Sequence, residues 1–150
     1  MNKKVILLVE DNPGDVELTI RALKSRHIIN EIVVANDGIE ALDFLNGRGK
    51  FSGRDASILP ALTLLDLKMP KKSGLEVLKE IRADAKTKLM PVVILTSSKE
   101  EIDLLNGYKL GCNSYICKPV DWSNFSEAIH QLGLYWLVLN ELPPTDSKSV

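Results

Sequence analysis

The sequence has little cysteine, little histidine and almost no net charge, and it has no long apolar run. Its two cysteines, Cys112 and Cys117, are too few to staple a disulfide scaffold, and their spacing fits no common zinc motif. The only histidines, His27 and His130, lie far from them in sequence. Reduced, partly buried thiols are the expectation for both cysteines. A formal charge of −1 supplies no basic field to recruit nucleic acid. No apolar stretch approaches the roughly 20 residues of a membrane span. Val5 to Val9 is too short for the core of a signal peptide, and Glu10-Asp11 follows it instead of a small-residue cleavage site. A cytoplasmic protein is expected, with neither nucleic acid nor membrane as its partner.

What is present suits one globular domain. Of the 150 residues, 45% are hydrophobic and 26% charged, enough to bury a real core. Short apolar runs recur at Val5–Val9, Ile32–Ala35, Leu62–Leu65, Val92–Leu95 and Tyr115–Cys117. Each is bounded by polar or turn residues, the pattern of strands buried on both faces. Between them the spacing is helical: Val16, Ile20 and Leu23; then Leu75, Leu78 and Ile81; then Ile102, Leu105 and Leu110. Strands alternating with helices make βαβ units and a parallel sheet. Helix starts are marked at Asp11-Asn12-Pro13, after Lys71-Lys72-Ser73-Gly74, within Ser97-Ser98-Lys99-Glu100-Glu101, and at Asp121.

Two stretches exceed a minimal fold of five such units. Asn46 to Ser57 is Gly-rich and carries Arg48, Lys50 and Arg54. It reads as a solvated surface loop, or else as a contact for an acidic partner. The last helix shows Trp122, Phe125, Ile129, Leu132, Trp136 and Leu139 at a three-four spacing, and from Leu134 to Leu139 it is apolar all round. That stretch predicts a homodimer contact, the alternative being a helix folded back on its own domain. Pro143-Pro144 ends the helix. A single domain over residues 1–142 is expected, with its core at about 3–135 and a flexible tail over 143–150.

In an open parallel α/β sheet, function collects at the carboxyl ends of the strands. The first run ends in Glu10-Asp11, the third in Asp66, the fourth in Thr96 and the fifth in Lys118. Crowded carboxylates repel one another and hold protons. A hard divalent cation such as Mg²⁺ resolves that crowding, since it prefers oxygen ligands. Glu10 and Asp11 could hold it directly or through water, Asp66 could share it, and a backbone carbonyl just after Asp66 could add an oxygen. Asp66 is the best nucleophile, because a carboxylate can attack phosphorus to give an aspartyl phosphate. Lys118 would offset the phosphoryl charge and Thr96 would donate its hydroxyl.

These residues resemble the response-regulator receiver domain, the CheY-like family, over about residues 3–135. The likeness rests on Ile6-Leu7-Leu8-Val9-Glu10-Asp11-Asn12, Leu64-Leu65-Asp66-Leu67-Lys68-Met69-Pro70 with Ser73-Gly74-Leu75, Pro91-Val92-Val93-Ile94-Leu95-Thr96, and Gly111-Cys112-Asn113-Ser114-Tyr115-Ile116-Cys117-Lys118-Pro119. The resemblance implies an α/β flavodoxin-like (βα)5 doubly wound sheet with strand order 2-1-3-4-5. It implies Mg²⁺-dependent phosphotransfer from a histidine kinase. Asp66 would be the phosphoacceptor, Glu10, Asp11 and Asp66 the metal ligands with the backbone carbonyl of Lys68, Thr96 and Lys118 the phosphoryl-binding pair, and Thr96 and Tyr115 the switch. A cis Lys118-Pro119 bond is implied too. The insert before the third strand, Lys71-Lys72, and the tail from Tyr135-Trp136-Leu137 to Pro144 resemble response regulators partnered with phytochrome-type sensor kinases.

Three other readings compete. A phosphatase of the haloacid-dehalogenase type needs a second Asp two residues after Asp66, where Lys68 stands. A flavodoxin must cradle a phosphate in its first loop, where Glu10, Asp11 and Asp15 would repel it. A degenerate receiver would act as an unphosphorylated scaffold. With no output segment expected after the receiver, signalling to a downstream target protein would run through surface contacts.

Overall fold

The structure, a computed structural model, describes residues 5–25, 30–118, 122–139 and 141–144. Five parallel strands form one sheet in the order β2-β1-β3-β4-β5. They are β1 (Val5–Val9), β2 (Glu31–Ala35), β3 (Leu62–Leu65), β4 (Val92–Thr96) and β5 (Ser114–Cys117). The helices between and after them are α1 (Pro13–Ser25), α2 (Gly38–Asn46), α3 (Gly74–Ala83), α4 (Glu101–Lys109) and α5 (Trp122–Gly133). The strand order reverses between β1 and β3, where the register sets Ile6 beside Leu62 and Val9 beside Leu65.

The central strands β3 and β4 are buried throughout and almost wholly apolar because helices cover both faces. Side chains alternate along each strand, so Leu7 and Val9 enter one core while Ile6 and Leu8 enter the other. In β4 the same alternation sends Val92 and Ile94 one way and Val93 and Leu95 the other. The first core is closed by Ala41, Leu45, Val77, Leu78 and Ile81 of α2 and α3; the second by Ala22, Leu23, Phe125, Ile129 and Leu132 of α1 and α5. Each fully buried aliphatic side chain contributes about 1.5–3 kcal/mol, so this sandwich holds the strand ends rigidly.

Two helices are locally well specified. Asp37 caps α2 by accepting from Glu40 N–H at 2.9 Å. Ser73 and Glu76 form a reciprocal capping box at the start of α3.

Three expectations need correction and a fourth holds. The Ile102–Leu105 stripe of α4 faces solvent, with Ile102 56% and Leu105 50% exposed; Gly107 is the buried position of that helix. No serine of the 97–98 pair caps α4. The cap residue is Glu100, which makes no side-chain cap bond, and the Ser98 hydroxyl instead donates to Asp103 Oδ2 at 2.6 Å. The last helix is not uniformly α-helical: Leu134–Leu139 is π-helical. Leu132 before the π segment and Leu137 within it, five residues apart, are both buried. Trp136 is half-buried against the same core and Tyr135 is exposed. The Asn46–Ser57 segment is a largely exposed surface loop, the first of its two readings. Lys50 pairs with Glu40 at 3.0 Å, Arg48 approaches Asp43 at 3.8 Å, and Arg54 lies 3.8 Å over the Phe44 ring while donating to the carbonyls of Phe44 and Ile58. These contacts tie the loop to α2, while the side chains of Arg48 and Lys50 stay more than half exposed. Asp121 and Pro119, on which the cap and cis-bond expectations fall, lie outside the described residues.

Candidate functional site

Each site residue is held where a strand runs out, and the neighbouring strand holds its backbone. Glu10 N–H donates to the Ala35 carbonyl at 3.0 Å, Asp66 N–H to Val9 at 3.0 Å, and Lys118 N–H to Thr96 at 2.7 Å. The ladder thus continues one residue past the apolar runs and aims polar side chains beyond the sheet. Glu10 and Asp66 are buried while Asp11 is exposed. The chain then turns directly into α1: Asn12 Oδ1 accepts from Asp15 N–H at 3.1 Å, and Pro13 fills the first helical position, where no donor is needed.

The carboxylates of Glu10, Asp11 and Asp66 each offer an oxygen within 4.8 Å of the others. Lys118 Nζ lies 2.5 Å from Glu10 Oε1, 2.7 Å from Asp15 Oδ2 and 3.9 Å from Asp66 Oδ2. Burial pushes the Glu10 carboxyl up to about 7, against the pull of its Lys118 hydrogen bond, and the Asp66 charge adds to the rise. Burial would lower the Lys118 ammonium, but its hydrogen bonds to Asp15 and Glu10 outweigh this and hold it above its ordinary value. Glu10, Asp15 and Asp66 all lie within 4 Å of the Lys118 ammonium, while Asp11 meets Glu10 and Asp66 on the other side of the acidic cluster. An all-oxygen cluster with surplus negative charge fits a hard divalent cation.

Asp66 Oδ1 accepts from Leu67 N–H at 2.8 Å, which leaves Oδ2 on the Lys118 side. The following loop returns so closely that Gly74 N–H donates to Leu67 at 2.9 Å. A Cβ on Gly74 would lie 2.1 Å from the Asp66 carbonyl oxygen, so glycine is required for the loop to close behind the acid. Lys68 stands exposed, two residues past Asp66.

The hydroxyl-bearing residues occupy the next strand ends. Thr96 is fully buried and its Oγ1 accepts from Ser98 N–H at 3.4 Å. Tyr115 packs against the first core, and its hydroxyl donates to the Ser98 carbonyl at 3.1 Å. Cys117 Sγ donates to the same carbonyl at 3.4 Å. The acids and Lys118 therefore meet directly, and Ser98 links Thr96 to Tyr115 one step behind them. Sequence reasoning missed this role of Ser98, the Gly74 approach, and the Asp15–Lys118 pair. A faint signal for Asp15 existed in its place one helical turn after Asp11, but an acid there is also ordinary helix-dipole support.

A sheet of this order with acids and a lysine at its switch point defines a signalling receiver. The chain belongs to the response regulator receiver domain family, whose profile matches residues 6–130. It is 39% identical over 140 residues to response regulator Rcp1 of Synechocystis sp., covering 93% of each chain. Among solved structures it resembles the phosphorylated cyanobacterial phytochrome response regulator RcpA, with a TM-score of 0.87 and 38% identity over 95% of this chain and 100% of that one. It also resembles the bacteriophytochrome response regulator AtBRR, with a TM-score of 0.76 and 50% identity over 94% of this chain and 100% of that one. Rcp1 itself has been solved in a Mn²⁺-bound form, which this chain matches with a TM-score of 0.85 and 38% identity over 94% of its length and 99% of that chain. Among the described residues, no helix is long and apolar enough to cross a membrane.

Proposed function

We propose that this receiver accepts a phosphoryl group on Asp66 from the phosphohistidine of a phytochrome-type sensor histidine kinase. The observation that carries this is the meeting of the Glu10, Asp11 and Asp66 carboxylates within 4.8 Å of one another, beside Lys118. In the transfer, an Asp66 oxygen attacks phosphorus. The phosphorus–nitrogen bond breaks, and its electron pair leaves on the imidazole, which is protonated. Glu10, Asp11, Asp66 and the Lys68 carbonyl would hold Mg²⁺, which supplies charge neutralisation at the phosphoryl oxygens. Lys118 adds a fixed positive charge there, and Thr96 offers a hydroxyl donor. The relatives' phytochrome connection supports the choice of kinase.

The output in this reading is a change of protein contacts. Tyr115 and Thr96 both contact the Ser98 backbone, so a shift of Thr96 toward a phosphoryl group would reach the Tyr115 ring through one residue. The domain spans 1–142, acts in the cytoplasm, signals to a downstream protein, and forms a homodimer through its last helix. Exposed Tyr135 and Leu142 support the dimer, although buried Leu137 shows that part of this segment covers its own core. Intact-mass measurement after incubation with acetyl phosphate and Mg²⁺ tests the central step. One phosphoryl group should be gained by the wild type and none by Asp66→Asn. An unmodified wild type would leave only the scaffold reading. Sedimentation at micromolar concentration in both phosphorylation states tests the dimer.

A further inference from the structure

Lys118 is shared among more carboxylates than a phosphoryl-binding lysine requires. An ammonium has three N–H donors. Here Glu10 and Asp15 take hydrogen bonds at 2.5 and 2.7 Å, and Asp66 Oδ2 at 3.9 Å lies beyond hydrogen-bond reach. Asp15 is the odd partner. It is not one of the three acids that could jointly hold a metal, so charge balance around a cation does not explain it. Its backbone is fixed, with N–H on Asn12 Oδ1 at 3.1 Å and its carbonyl accepting from Thr19 Oγ1 at 2.8 Å. Its carboxylate therefore approaches Lys118 from a rigid first turn of α1.

We propose that Asp15 is a positioning residue that holds the Lys118 ammonium on the α1 side of the site, so that a phosphoryl group on Asp66 must win the ammonium from it. The inference rests on the phosphoacceptor reading. Asp15 opposes the phosphorylated state in two ways of the same sign: it competes for Lys118, and it adds negative charge near an incoming dianion. A purely structural pair would anchor α1 to the end of β5, and its loss would change stability while leaving phosphoryl affinity alone.

The test uses the full chain with saturating Mg²⁺ and beryllofluoride as the phosphoryl mimic, with binding followed by fluorine NMR. Asp15→Asn removes the charge at constant size, and Asp15→Glu keeps the charge. The Asn variant should bind about fivefold tighter, the scale of one partly exposed ion pair, and the Glu variant should return toward wild type. Equal or weaker binding by Asp15→Asn overturns the inference while sparing the phosphoacceptor reading. A wild type that does not bind beryllofluoride overturns both.

Discussion

The two ends of the sheet each hold a half-buried cation, and the two are treated oppositely. At the amino ends of β4 and β5, Arg82 donates to the carbonyls of Gly111 at 2.8 Å, Lys88 at 3.0 Å and Met90 at 2.7 Å, and to Asn113 Oδ1 at 3.0 Å. Asn113 Oδ1 also accepts from Val92 N–H at 2.7 Å. These acceptors are neutral, and all but one are backbone carbonyls. At the carboxyl ends, Lys118 faces the charged oxygens of Glu10, Asp15 and Asp66. The first cluster is satisfied as it stands and stabilises the fold. The second carries surplus charge, which costs stability and prepares the site for a cation and a phosphoryl group.

The comparison breaks most visibly at Arg82. Arg82→Ala strands several carbonyls at once and should cost about 3 kcal/mol in urea unfolding, while Mg²⁺ binding by the folded protein stays unchanged. A loss under 1 kcal/mol would mean that water replaces the guanidinium freely. Asp66→Asn should act in the other direction. It keeps an acceptor for Leu67 N–H, removes one of the crowded charges, and should stabilise the metal-free protein by about 1 kcal/mol. Destabilisation there would show that the acids are not in conflict.

An effect of similar size separates a cap from both clusters. Burial opposes ionisation of Asp37, yet the Glu40 N–H and Lys71, 3.3 Å away, hold its carboxyl below the usual carboxylate range. A depressed folded value means that the ionised cap stabilises the protein at neutral pH. That stability is lost as pH falls through the folded value. Asp37→Ala should cost about 1 kcal/mol at pH 7 and less in acid, whereas Asp37→Asn should keep the cap and flatten the pH dependence. Denaturant midpoints at pH 7 and pH 3 measure this. The smallest effect belongs to the exposed face of α4: Ile102→Gln should change stability by less than about 0.5 kcal/mol. A core-sized loss would place the Ile102 side chain inside after all.

Much of this was legible from local pattern. Val5–Val9 and Leu62–Leu65 read as buried strands because both of their faces are apolar, and the structure places those strands at the same residues. Glu10, Asp66 and Lys118 read as one cluster because parallel strands bring like ends together. The Ile102 and Leu105 spacing misled because periodicity shows which residues share a helix face, not whether anything covers that face. The three-four stripe through Trp136 and Leu139 assumed an α winding, but an all-apolar stretch such as Leu134 to Leu139 looks the same in an α or a π winding. Arg54 looked like solvent-facing charge until the fold brought Phe44 beneath it.

By itself, the sequence determined the strands, their alternation with helices, and the kinds of group at each strand end, because these follow from side-chain period and polarity over a few residues. Only the tertiary structure decided that Asp15, far away in the chain, reaches Lys118, that Gly74 lets the loop close behind Asp66, and that Ser98 stands between Thr96 and Tyr115. Those contacts depend on distances between separately folded elements, which no local pattern of residues encodes.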